Sequence, residues 1–144
     1  MERVRGTCIA VDGRGVLLRG RSGAGKSDLA LRLIESGAQL VADDYTIVAS
    51  EAGALVASAP PELRGLLEVR GIGIVPTQAL AKAALIAVVD LVDGAEVERI
   101  PEPETTEILG VGVPLFRLSA LEPSAAAKVR LAARVADGRT VLLQ

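Results

Sequence analysis

An α/β domain built on a mixed sheet, with several hairpins and flanking helices, is the fold class this sequence predicts. Three observations predict it. A glycine-rich loop at residues 20–27 stands between a strand-like run and a stripe of helical spacing. Pairs of short β-runs are separated by glycine-containing turns, the pattern of hairpins. One apolar run, residues 84–92, is the most strand-like in the chain and reads as the centre of the sheet.

The elements follow in order. Thr7–Val11 reads as a β-run, Asp12-Gly13-Arg14-Gly15 as a turn, and residues 16–19 as a second strand. Residues 27–36 place Leu29, Ala30, Leu33 and Ile34 on one helical stripe, and Gly37 is a natural stop. Gln39–Ala42 is a short apolar strand ending in Asp43 and Asp44. Residues 47–49 and 54–57, around Glu51-Ala52-Gly53, form another predicted hairpin. Pro60-Pro61 punctuates the middle, residues 66–70 are strand-like, and Gly71-Ile72-Gly73 follows as a flexible elbow. Residues 100–107, rich in prolines and acids, read as loop, and residues 113–118 as a late strand. Pro123, at a first helical turn, opens an alanine-rich helix over residues 124–136. No repeat or linker interrupts the pattern, so residues 1–144 read as a single domain.

Composition narrows the chemistry. Half of the 144 residues are hydrophobic, but Tyr45 and Phe116 are the only aromatics, so the core is aliphatic. A formal charge of −2 offers no general attraction to nucleic acid or anionic membranes, and so few aromatics cannot grip single strands by stacking. The lone Cys8 cannot form an internal disulfide, which fits a reducing compartment. Neither a signal peptide nor an apolar run approaching the ~20 residues of a bilayer span is present. The expectation is a soluble, cytoplasmic protein. No histidine occurs, which excludes histidine bases and His-ligated metals. Any base is then a carboxylate, and any metal a hard, oxygen-ligated ion such as Mg²⁺.

Gly20-Arg21-Ser22-Gly23-Ala24-Gly25-Lys26-Ser27 fits G-x-x-x-x-G-K-[ST] throughout. The glycines let backbone N–H groups converge on phosphate oxygens, and the following helix adds its positive end. Lys26 reaches the β- and γ-phosphates of a nucleoside triphosphate in such a loop, and the Ser27 hydroxyl meets Mg²⁺. A plain glycine turn before a helix is the bland alternative, and the strand–loop–helix context weighs against it.

Phosphoryl transfer also needs a carboxylate near the γ-phosphate, to hold the metal or to take the acceptor's proton. Asp43 and Asp44 end one strand; Asp90 ends the long apolar run and could be a generic metal carboxylate. Either could instead be a turn or a helix cap. Glu68 and Arg70 stand two apart on one strand face, followed by Gly71 and Gly73, whose freedom suits a phosphate site. A cross-strand ion pair would explain Glu68 and Arg70 equally, but together they favour Asp43-Asp44.

These blocks resemble the HPr kinase/phosphorylase family, specifically its C-terminal catalytic domain. The resemblance rests on residues 20–28, on Val41-Ala42-Asp43-Asp44, on Pro60-Pro61 with Leu63, and on the signature Leu67-Glu68-Val69-Arg70-Gly71-Ile72-Gly73-Ile74. It implies a P-loop core related to phosphoenolpyruvate carboxykinase, a hexameric habit, and ATP- and Mg²⁺-dependent phosphorylation of a serine of the phosphocarrier HPr. It implies Asp44 as the base for the acceptor serine, Lys26 as the phosphate-binding lysine, and Ser27 and Glu68 at metal-associated positions. It places Arg99 near a catalytic arginine, and Asp43, Arg70 and Gly71 in support.

Three departures stand beside this. Arg5 is the nearest match to a histidine that the family carries; Ser119-Ala120-Leu121-Glu122-Pro123-Ser124 replaces a basic K-x-G-R stretch; and a short form without the family's N-terminal regulatory domain is expected. They predict kinase activity with the phosphorylase reaction impaired. The alternatives are a nucleotide sensor without transfer chemistry, a small-molecule kinase or NTPase using Asp90, and, most remote, an assembly protein.

Overall fold

Asp12 and Gly13, both at positive φ (51° and 78°), turn the chain between β2 (Thr7–Val11) and β3 (Arg14–Arg19) in a two-residue hairpin. The computed structural model describes Met1–Gln144. Before that hairpin lies β1 (Glu2–Arg5). After it come α1 (Lys26–Glu35), β4 (Gln39–Ala42), β5 (Tyr45–Glu51), β6 (Ala54–Ser58), β7 (Leu66–Val69), β8 (Gly73–Pro76) and β9 (Lys82–Leu91). β10 (Glu104–Ile108), β11 (Val111–Leu118) and α2 (Ala125–Ala136) complete the order. No helix is long and apolar enough to cross a membrane.

Nine strands form one mixed sheet in the order β1-β5-β6-β9-β3-β2-β4, with β11 and β10 branching from β9. The long strand β9 is central, as its apolar run predicts. It pairs in parallel with β3 along one side. Its other side is shared: the first residues run antiparallel to β6, and residues 88–91 run parallel to β11. Three neighbouring strands, β3, β9 and β11, therefore point the same way and end along one edge of the sheet.

Both faces of this central region are buried, which is why every residue of β2 is buried. On one face Ile9, Val11, Val16, Leu18 and Val89 pack against Leu29 and Leu33 of α1 and Val129 and Ala133 of α2. On the other, Cys8, Ala10, Leu17 and Val88 pack against Val48, Leu55, Ile108 and Val113, because the outer strands curl back over the sheet. A register shift between Gly15 and Val16 against β9 moves its buried residues from the face of Leu85 to that of Ala87. α1 ends where Gly37 (φ 109°) donates to Ile34 O and Ala38 to Leu33 O, the paired bonds of a Schellman stop.

Several expectations need correction. Residues 100–107 are not all loop: Glu104–Ile108 is a strand, held by antiparallel pairing with β11 and by the Arg117 guanidinium on Glu104. Its acids and flanking prolines mark an exposed edge rather than an absence of strand. β1 and β8 were also not expected; each is four residues long and exists by pairing with β5 and β7. The elbow at residues 71–73 is the tip of the β7–β8 hairpin, and β7 stops at Val69, so Arg70 belongs to the turn rather than to a strand face shared with Glu68. Pro123 lies just outside α2, before its N-cap Ser124.

Candidate functional site

β3 delivers the chain into the glycine-rich loop, and α1 starts at Lys26 with Gly25 as its N-cap. No side chain caps this end, so the N–H groups of the first turn are available to an anion. Two glycines are demanded by packing. A Cβ on Gly20 would lie 2.9 Å from the Ala24 Cβ and 3.2 Å from the Leu91 carbonyl oxygen. Gly25 is at φ 97°, and a Cβ there would lie 2.9 Å from the Ala120 Cβ. Lys26 Nζ donates to the carbonyls of Gly20 (2.6 Å) and Arg21 (3.1 Å). Its pKa is lowered, first by loss of solvent and then by the charge of Arg5, with Asp44 and Asp43 pulling the other way.

Asp43 is the hub of the site. The pairing of β2 with β4 sets Cys8 opposite Ala42, which brings Thr7 beside Asp43. Buried to 6 % exposure, the Asp43 carboxylate accepts three hydrogen bonds. Thr7 Oγ1 and Ser27 Oγ each donate to Oδ1 at 2.9 Å, and the Glu68 N–H donates to Oδ2 at 3.1 Å. One carboxylate thus ties together β2, the start of α1, the end of β4 and β7. Ser27 directs its proton to Asp43, which leaves its lone pairs free for a hard cation. No group of three or more acidic or thiol side chains forms a ready-made metal cage.

Asp44 is presented differently. The Tyr45 N–H donates to Asp43 O at 2.7 Å across it, and Asp44 holds φ 67°, a tight three-residue turn. The Gly6 N–H fixes the Asp44 carbonyl at 2.9 Å. The Asp44 side chain is exposed and has no hydrogen-bond partner within the chain. A non-glycine residue held at positive φ with a free carboxylate is the kind of strain that collects at functional sites.

The structure brings Lys26, Ser27, Asp43 and Asp44 together and reaches Glu68 through its backbone; the Glu68 side chain is exposed. Arg21 is exposed, 3.8 Å from Asp93 across the loop's outer side, and Ser22 and Gly23 are exposed at its apex. Arg70 and Gly71 occupy the β7–β8 hairpin tip. Arg99 lines a different cavity, between β11 and α2, and not the one beside the glycine-rich loop. Asp90 is held by Arg19 in a two-pronged pair at 2.8 and 3.1 Å, which explains its position at a strand end without a metal.

Sequence reasoning missed Thr7, whose place at the start of a β-run reads as strand propensity. It also missed Arg32, which pairs with Asp28 one helical turn back, at 3.2 Å, and donates to the carbonyls of Ala120 and Glu122. The Asp28–Arg32 spacing is visible in the sequence; the second role is not.

Residues 1–136 match the family model described as the HPr Serine kinase C-terminal domain. The chain is similar to the HPr kinase/phosphorylase of Chlorobium phaeobacteroides, 38% identical over 130 residues, covering 81% of this chain and 40% of that relative. It is similar also to that of Chloroherpeton thalassium, 37% identical over 129 residues, covering 81% and 38%. The chain therefore spans about two fifths of the length of these relatives. Among solved structures, it resembles the Hpr(Ser) kinase/phosphatase from Coxiella burnetii with a TM-score of 0.82 at 25% identity, covering 96% of this chain and 91% of that one.

Proposed function

The chain belongs to the HPr serine kinase C-terminal domain family, and from that premise we propose that it transfers the γ-phosphoryl group of ATP to a serine of the phosphocarrier HPr. The observation that carries this reading is the free Asp44 carboxylate beside the linked Ser27–Asp43 pair and Lys26. The loop of residues 20–27 cradles the triphosphate through backbone N–H groups. Lys26 leaves its loop carbonyls for phosphate oxygens. Ser27 Oγ, oriented by Asp43, would hold Mg²⁺, with Glu68 nearby; when bound, the ion offsets charge on the β- and γ-phosphates.

Asp44 accepts the proton of the serine hydroxyl as its oxygen bonds to the γ-phosphorus and the bond to the β-phosphate oxygen breaks. Arg5, whose charge is felt at Lys26, adds a fixed positive charge and cannot relay protons as a histidine would. With Arg5 at the family's histidine position, and no basic stretch at residues 119–124, the forward kinase reaction is the activity we assign, with the phosphorylase reaction impaired. Arg99, in the cavity between β11 and α2, would join this site only in a rearranged or assembled form, whereas Arg70 lies two residues beyond Glu68, whose N–H meets Asp43. A core related to phosphoenolpyruvate carboxykinase, a single catalytic unit of residues 1–144, a hexamer and a cytoplasmic location complete the reading.

Incubating the protein with HPr, ATP and Mg²⁺ and mapping phosphoserine on HPr by mass spectrometry tests it. The reading predicts one modified serine, dependent on Mg²⁺. A nucleotide sensor without transfer is the second reading, favoured by Arg5; it predicts ATP binding with HPr unmodified.

A further inference from the structure

Thr7, the first residue of β2, is fully buried, and its hydroxyl meets both acidic residues that follow β4. Its Oγ1 donates to Asp43 Oδ1 at 2.9 Å and accepts from the Asp44 N–H at 3.5 Å, the long end of hydrogen bonding. The strand itself does not need that hydroxyl. A valine has the same branched shape, suits a strand equally and brings no polar atom to bury.

Two further bonds fasten the same pair of segments. The Gly6 N–H donates to the Asp44 carbonyl at 2.9 Å, and the Thr46 hydroxyl to the Gly6 carbonyl at 3.1 Å. The N–H and the carbonyl of Asp44 are thus both held by residues 6 and 7. Asp44 sits at φ 67°, where a residue other than glycine persists only if its surroundings fix it. Of the two holds, only the one from Thr7 can be removed by substitution with the backbone left intact. Thr7 is tied to the other half of the site as well. It pairs with Leu18 of β3, the strand that runs into the loop of residues 20–27, and its hydroxyl shares Asp43 Oδ1 with Ser27. One stiff side chain therefore sets the Asp44 turn against the loop.

We infer that Thr7 is a positioning residue for phosphoryl transfer, its hydroxyl holding the Asp44 turn in the form that presents the carboxylate to the acceptor serine. The inference rests on the reading of Asp44 as the base and adds the group that aims it. Being buried, Thr7 touches neither substrate and acts through Asp44.

Steady-state transfer to HPr, with kcat and the KM for Mg²⁺·ATP measured separately, tests it. Thr7→Val keeps the shape and loses the hydroxyl; it should lower kcat by roughly tenfold or more and leave KM unchanged. Thr7→Ser keeps the hydroxyl and should recover most of kcat. Adding Thr7→Val to Asp44→Asn should slow that variant no further, because a base that is gone cannot be misaimed. If Thr7→Val does not fold, Thr7→Ala carries the same comparisons. Wild-type kcat without the hydroxyl, or Thr7→Ser as slow as Thr7→Val, would overturn the inference and leave Asp44 as the base. A raised KM with kcat kept would route the effect through Asp43 and Ser27, and further slowing of Asp44→Asn would make it a general loss of structure; either overturns it. A wild type that leaves HPr unmodified would overturn the kinase reading and this inference with it.

Discussion

Ser27 Oγ donates to Asp43 Oδ1 at 2.9 Å, joining the last residue of the glycine-rich segment to the carboxylate that follows β4. Thr7 Oγ1 shares the same oxygen, and the Glu68 N–H takes the other. Asp43→Ala leaves these buried and half-buried donors without their acceptor, so it should lower stability by about 2–4 kcal/mol. Chemical denaturation measures this directly. A loss below half of that range would mean that water replaces the carboxylate, and the hub would not be structural.

Lys26 contacts only loop carbonyls and is half-buried, so Lys26→Ala should leave the melting temperature nearly unchanged. Affinity for ATP should fall by roughly tenfold or more, since a charge-assisted phosphate contact is removed. ATP binding at wild-type strength by this variant would sink the assignment of the loop.

Asp44 offers a test that separates strain from chemistry. Glycine adopts φ 67° without penalty, so Asp44→Gly should leave stability unchanged or raise it by up to about 1 kcal/mol. The same variant should lose phosphoryl transfer. Destabilisation alongside lost transfer would indicate that the Asp44 side chain serves the fold.

The turn of residues 20–25 and the helix after it were legible because glycines and a helical stripe stand in adjacent positions, and the hairpins around them follow local rules. The hub was not. Thr7, Asp43 and Glu68 are 36 and 25 positions apart and meet only through the β2–β4 pairing and the β7–β8 hairpin. Edge strands failed for the same reason: Glu104-Thr105-Thr106-Glu107 becomes a strand because β11 pairs with it, which its own composition opposes. Asp44 illustrates a middle case. Its place at a strand end was readable, but its positive φ depends on bonds from Gly6 and Tyr45.

Asp90 is matched by Arg19 on the neighbouring strand. Asp90→Asn should therefore retain transfer and cost about 1 kcal/mol of stability through the weakened pair. A variant that folds normally but transfers no phosphate would restore Asp90 as the metal carboxylate.

Cys8 is fully buried between the sheet and its curled outer strands, and burial pushes its thiol up to about 12, opposed by a backbone hydrogen bond with Val16. Since the unfolded thiol ionises lower, near 9.0, its contribution to stability is lost as pH rises from about 9 to about 12. In the folded protein at pH 8 it should resist alkylation, and denaturant should expose it. Fast labelling of the native protein would contradict the packing of β2.

The central claim is that Asp44 takes the proton of an HPr serine during transfer from ATP. The most direct measurement is single-turnover transfer of γ-labelled phosphate to HPr, comparing wild type with Asp44→Asn at saturating Mg²⁺·ATP. The account predicts rapid labelling by the wild type and a loss of roughly 10²-fold or more in the variant, with ATP affinity unchanged. Equal rates in the two proteins would contradict it.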